Sequence, residues 1–84
     1  MIKILLLFFL LLKTNLSFAE TNYFAEGKSF FEKKYFDKAK FKFEKDIVFN
    51  PKSEKSYLYL AKIFNKKNNS ELEEINLNTV ILLN

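Results

Sequence analysis

Residues 23–51 read YFAEGKSFFEKKYFDKAKFKFEKDIVFNP, and residues 57–84 read YLYLAKIFNKKNNSELEEINLNTVILLN. The two stretches align at an offset of 34 positions: Tyr23 recurs as Tyr57, Lys28 as Lys62, Phe30 as Phe64 and Asn50 as Asn84. Chemically similar residues fill further slots, pairing Phe24 with Leu58, Gly27 with Ala61, Phe43 with Leu77, Ile47 with Ile81 and Phe49 with Leu83. A fixed period of about 34 residues is the length of one helix–turn–helix unit in a helical repeat array. The duplication therefore points to a binding scaffold before it points to an enzyme.

Within each copy the apolar spacing divides into two helices. Phe24, Gly27, Phe30 and Phe31 lie three and four apart, which predicts a helix over Tyr23 to Lys33, and Lys34-Tyr35 supplies a short turn. From Asp37 the spacing resumes at Ala39, Phe43, Ile47 and Phe49, with Lys38, Lys40, Lys42 and Lys45 on the wetter face. Asn50-Pro51 stops this helix, because a proline disfavours helical geometry in the residue before it. Ser53 is placed to cap a third helix running to about Lys67, with Tyr57, Leu60, Ala61 and Phe64 inward. Asn68-Asn69 ends it, since Asn tolerates the left-handed conformation needed past a C-terminus. Ser70 with Glu73 three residues later reads as a capping box for a fourth helix, which carries Leu72, Ile75, Leu77, Val80, Ile81, Leu82 and Leu83. Short connections make each pair antiparallel.

These residues resemble the tetratricopeptide repeat. Tyr23, Gly27, Phe30, Ala39, Phe43 and Asn50-Pro51 fill that family's slots for an aromatic, a small residue, a second aromatic, a small residue, a further aromatic and a closing Asn-Pro. The second copy offers Tyr57, Ala61, Phe64 and Leu77 and stops at Asn84, where a proline would follow. Two residues depart from the pattern: Glu73 stands where the family has a small residue between paired helices, and Asp46 replaces a small apolar one. The resemblance implies an all-α fold of two antiparallel helix pairs stacked as a short right-handed solenoid. Repeat one covers about 20–53 and repeat two about 54–84. It further implies protein–protein contact as the function, with no cofactor.

Composition agrees with helices. In 84 residues there are 11 Phe and 4 Tyr to fill a small core, but one Gly and one Pro, too few for the turns of an all-β fold. The chain has no Cys, hence no disulfide or thiolate metal site, and no His, the usual general base near neutral pH. Every one of the 14 basic residues is Lys, so bidentate recognition of phosphate or guanine by Arg is absent. The abundance of Lys, Asn, Ile and Phe fits an AT-rich genome.

The N-terminal 19 residues have the layout of a secretory signal peptide: Met1-Ile2-Lys3, nine apolar residues from Ile4 to Leu12, a polar Lys13-Thr14-Asn15, and small residues at Ser17 and Ala19. The apolar run is far short of the roughly 20 residues of a spanning helix. Cleavage after Ala19 removes Lys3 and Lys13 and no acid, so the formal charge falls from +4 to +2. That change argues against nucleic acid as the partner, and the leader itself points to a periplasmic or secreted location. An uncleaved anchor, tethering an accessory subunit to the membrane, is the alternative.

The family resemblance implies a concave surface lined by the first helix of each pair. Projected here, the lining is Phe24, Lys28 and Phe31, then Leu58, Tyr59, Lys62, Asn65 and Lys66. Such a groove suits an extended peptide, with lysines attracting acidic side chains or a terminal carboxylate. The plainer alternative keeps Phe24 and Phe31 in the core and the lysines as a solvated face. The carboxylate-clamp form of the family is not reproduced, so chaperone-tail binding is not implied. No nucleophile–base pair, phosphate loop or metal-ligand cluster is legible, and no enzyme is expected. Two repeats without a capping helix leave Val80, Ile81 and Leu83 as an association edge, for a second copy or a larger partner. A truncated fragment of a longer repeat protein gives the same pattern.

Overall fold

The computed structural model describes residues 22–84. The signal-peptide reading over residues 1–19, and the start of the repeat domain at residue 20, lie outside the described residues. Within them the fold is all-α: α1 (Tyr23–Glu32), α2 (Phe36–Phe49), α3 (Glu54–Lys66) and α4 (Ser70–Leu83).

Local chemistry sets the boundaries. Asn22 caps α1, its side chain accepting from the Ala25 N–H at 3.0 Å. After α1 the chain turns at Lys34, and after α3 at Asn68, both with positive φ (66° and 58°). The hydrogen bonds of the two turns match one repeat apart. Tyr35 N–H donates to the Phe30 carbonyl at 2.9 Å, and Asn69 N–H donates to the Phe64 carbonyl at 2.9 Å. These long-reach bonds close orphan carbonyls at each helix end, as a left-handed terminating residue allows. The α2–α3 joint differs. Asn50 takes an extended φ of −129° before Pro51, and its N–H still donates to the Asp46 carbonyl at 2.7 Å.

Two local expectations are corrected. The cap of α4 is Asn69, whose side chain accepts from Leu72 N–H at 3.1 Å. Ser70 is the first helical residue, and Glu73 is drawn instead to Asn65, so no capping box forms. Ser53 does hold the N-cap position of α3 but makes no side-chain cap bond.

The core is small and aromatic. Ala39, Phe43, Leu60, Ile63 and Phe64 form its buried centre, with Phe24, Phe30, Phe31, Phe36, Ile47 and Tyr59 packed around it. Each fully buried large apolar side chain stabilises by roughly 1.5–3 kcal/mol, so few of them carry the fold and the half-buried rings matter. Tyr59 of α3 joins the two hairpins. Its ring lies 5.1 Å from Phe31 (edge-on), 5.6 Å from Phe24 and 5.1 Å from Phe43 (stacked). α3 packs against α1, α2 and α4, while α4 touches neither α1 nor α2. The third helix is therefore the spine, with hollows along both of its flanks.

The joint also has a polar lock. Asp46, expected as an intruder on an apolar position, is buried and accepts from the Ser56 hydroxyl at 2.5 Å and from Asn50 Nδ2 at 3.0 Å. Burial alone raises its carboxyl pKa, but hydrogen bonds from Ser56, Ser53 and Asn50 outweigh burial and hold it below the ordinary 3.8.

The apolar register departs from expectation at two places. Phe49 is exposed, its ring stacked on Tyr23 at 5.6 Å. On α4 the buried residue is Asn76, whose Nδ2 donates to its own helix at Leu72 O (2.7 Å), while Ile75 faces outward; Ile81 and Leu82 are exposed, as expected of the uncovered C-terminal end. α4 is apolar on nearly every side, so periodicity alone does not choose the face that packs.

Candidate functional site

Along one flank of α3 a concavity of about 410 Å³ is lined by Phe31 of α1, Ala61, Lys62, Asn65 and Lys66 of α3, and Glu73 and Leu77 of α4. Its geometry follows from helical spacing. Ala61 with Asn65 and Lys62 with Lys66 are each four apart and so stack along one side of α3. Ala61 is small enough to let the floor sink, and Phe31 and Leu77 supply apolar walls from either side.

The rim is charged on both sides. The Lys62 ammonium lies over the Tyr59 ring at 4.8 Å from its centroid, and Lys66 over Phe36 at 5.7 Å. Asn65 Nδ2 donates to both carboxylate oxygens of Glu73, at 3.2 and 3.3 Å, crossing from α3 to α4. The hollow thus offers two lysines, one amide and one carboxylate around an apolar floor. This arrangement can hold an extended segment by its carboxylates and apolar side chains; it contains no nucleophile with an adjacent base. Among the described residues, no group of three acidic side chains is placed to hold a metal ion.

The eight residues expected to line a groove separate into two groups. Phe31, Lys62, Asn65 and Lys66 meet at this concavity. Phe24 and Tyr59 are half-buried in the aromatic cluster that joins the hairpins, and Lys28 and Leu58 are exposed away from the hollow's lining. Ala61, Glu73 and Leu77 line it without having been expected there. Glu73 and Leu77 come from the fourth helix, which reasoning from the first helix of each pair leaves out. The signal that finds Glu73 is its charge beside Asn65: two polar residues facing each other across the α3–α4 contact, the only one α4 makes with another described helix.

A second concavity of about 450 Å³ runs along the other flank of α3, lined by Lys40, Glu44 and Ile47 of α2, Leu60 and Phe64 of α3, and Leu72 and Asn76 of α4. It exists because α2 and α4 do not meet. Of the three residues expected at an association edge, Ile81 is exposed, whereas Val80 and Leu83 are half-buried; Leu82 is the more exposed neighbour. No described helix is long and apolar enough to cross a membrane. No protein-family model, curated protein or solved structure matches the chain.

Proposed function

We propose that this chain is an exported, tetratricopeptide-like scaffold that binds another polypeptide in a bacterial cell envelope and performs no catalysis. In this reading residues 1–19 direct export and are removed. The two hairpins stack as a short right-handed solenoid, and the hollow beside α3 receives an extended stretch of the partner. The observation that carries the proposal is the convergence of Phe31, Lys62, Asn65 and Lys66 on one concavity, with α3 packed on both helices of the first hairpin. The matched turns at Lys34 and Asn68 support the repeat reading independently of the side chains. Lys62 and Lys66 would hold carboxylates, Phe31 and Leu77 an apolar side chain between them, and Glu73 would disfavour an acid directly beside it.

A photo-crosslinking residue at Asn65, compared with one at Ser29 on the exposed side of α1, tests this in envelope extract. Discrete adducts from position 65 that disappear with Lys62→Glu/Lys66→Glu, and are not formed from position 29, are the expected result. Equal adducts from both positions, or adducts that ignore the charge reversal, refute the groove.

A further inference from the structure

We propose that the outer face of α2 is a docking surface for an anionic lipid bilayer. Phe41 (55% exposed), Val48 (75%) and Phe49 (68%) stand in water on this helix, although three such side chains on one short helix gain nothing from exposure. Positions 41, 45 and 48 follow one another at spacings of four and three, so Phe41, Lys45 and Val48 form one stripe, with Lys38 and Phe49 beside it and Lys52 in the turn just past the helix.

In sequence this stretch is spoiled as a cationic surface by Asp37, Glu44 and Asp46. In the fold none of the three is free to oppose it. Asp37 is ion-paired with Lys67, Glu44 with Lys40 at 3.7 Å, and Asp46 is turned inward to Ser56. Glu26, the nearest acid of α1, is held by Lys42 at 2.6 Å. Lys38, Lys45 and Lys52 have no carboxylate partner among the described residues. What remains outward is uncompensated positive charge interleaved with aromatic and branched apolar side chains.

Three features favour a bilayer over a protein as occupant. Neither of the two hollows described along α3 is lined by any residue of this stripe, so the face does not belong to the groove read as a peptide site. Lys45 lies over Phe41 at 4.7 Å and over Tyr23 at 5.4 Å, and Lys38 over Tyr35 at 5.6 Å. Each ammonium is held over a ring, so cation and apolar surface are presented together on one face, as on helices that lie at a membrane interface. Finally, two copies meeting through this face would bring like charges together. Anionic headgroups complement the lysines, and attraction falls away beyond a Debye length of about 8 Å at physiological salt.

The full chain contains no Trp, so Phe49→Trp, which keeps a ring against Tyr23, reports on this site alone. Emission is read with vesicles of phosphatidylcholine alone or mixed with phosphatidylglycerol, with and without brominated acyl chains. The apolar stretch at residues 4–12 is shared by every variant, and its contribution is read on the phosphatidylcholine vesicles. The expected result is a blue shift and bromine quenching only with the anionic lipid, reversed by high salt. Adding Lys38→Gln and Lys45→Gln should weaken partition about thirtyfold at unchanged helicity by circular dichroism. Three results overturn the proposal: binding to anionic vesicles with the indole emission unmoved, a shift of equal size on phosphatidylcholine, or a concentration-dependent shift without lipid, which would make the occupant a second copy.

Discussion

The two hairpins have the same turns and different interiors. In the first, Gly27 lies so close to the Phe43 ring that an added Cβ would sit 2.7 Å from Cε1 and 2.8 Å from Cδ1. In the second, the corresponding places hold Ala61, buried, and Leu77, 38% exposed. α1 and α2 therefore interlock, ring against backbone, whereas in the second hairpin Leu77 stands partly in water and Asn65 pairs with Glu73 across α3 and α4. Repetition of a pattern in sequence preserves the path of the backbone more faithfully than it preserves the quality of packing.

The largest break in that contrast comes from truncating equivalent residues. Phe43→Ala should cost about 3–5 kcal/mol, as for a fully buried aromatic, and Leu77→Ala no more than about 1 kcal/mol. A domain of this size has on the order of 5 kcal/mol in total, so the first variant should lose its urea transition at ambient temperature while the second keeps it. Equal losses would mean that the second hairpin is as tightly packed as the first.

Gly27→Ala sharpens the point, because helix propensity alone predicts a gain of about 1 kcal/mol. The clash with a ring that cannot retreat should turn that gain into a net loss of about 1–2 kcal/mol, visible as a lowered thermal midpoint. Ala61→Gly, the reverse exchange one repeat on, should lose about 1 kcal/mol from propensity and a buried methyl.

Between the hairpins, Asp46→Ala strands the Ser56 hydroxyl and should cost about 1–3 kcal/mol. The native Asp46 carboxyl titrates below its unfolded value of 3.8. Its stabilising contribution is therefore complete above that value and is lost as pH falls through the lower native one. Acid unfolding followed by circular dichroism should be shallower below pH 3.8 in Asp46→Asn than in the native chain. The smallest effect lies at the α4 cap, where Asn69→Ala should cost about 1 kcal/mol and Ser70→Ala less than about 0.5 kcal/mol. The reverse order would restore Ser70 as the capping residue.

Much of the fold is legible in the sequence because its punctuation is local. Lys34-Tyr35, Asn50-Pro51 and Asn68-Asn69 mark all three connections, since turn and cap chemistry acts within a few residues. What escapes depends on contacts far apart in sequence. Asp46 reads as a fault in an apolar pattern until Ser56 arrives across the joint to donate its hydroxyl to the carboxylate. α4 offers apolar groups on most sides, and only docking against α3 turns Ile75 outward and selects Asn76 as the buried residue. The same limit applies to the hollow. Its α3 residues follow from spacing on one helix, but Glu73 and Leu77 require knowing how α4 leans.

Lys34 and Asn68 reverse the chain through matching main-chain bonds, each at a positive φ that costs a lysine more than an asparagine. The outline of each hairpin is in this sense drawn by one pivot, which a lysine serves in the first and an asparagine in the second. Glycine, which enters the left-handed region without strain, would serve that pivot at either position at less cost than the lysine now at 34.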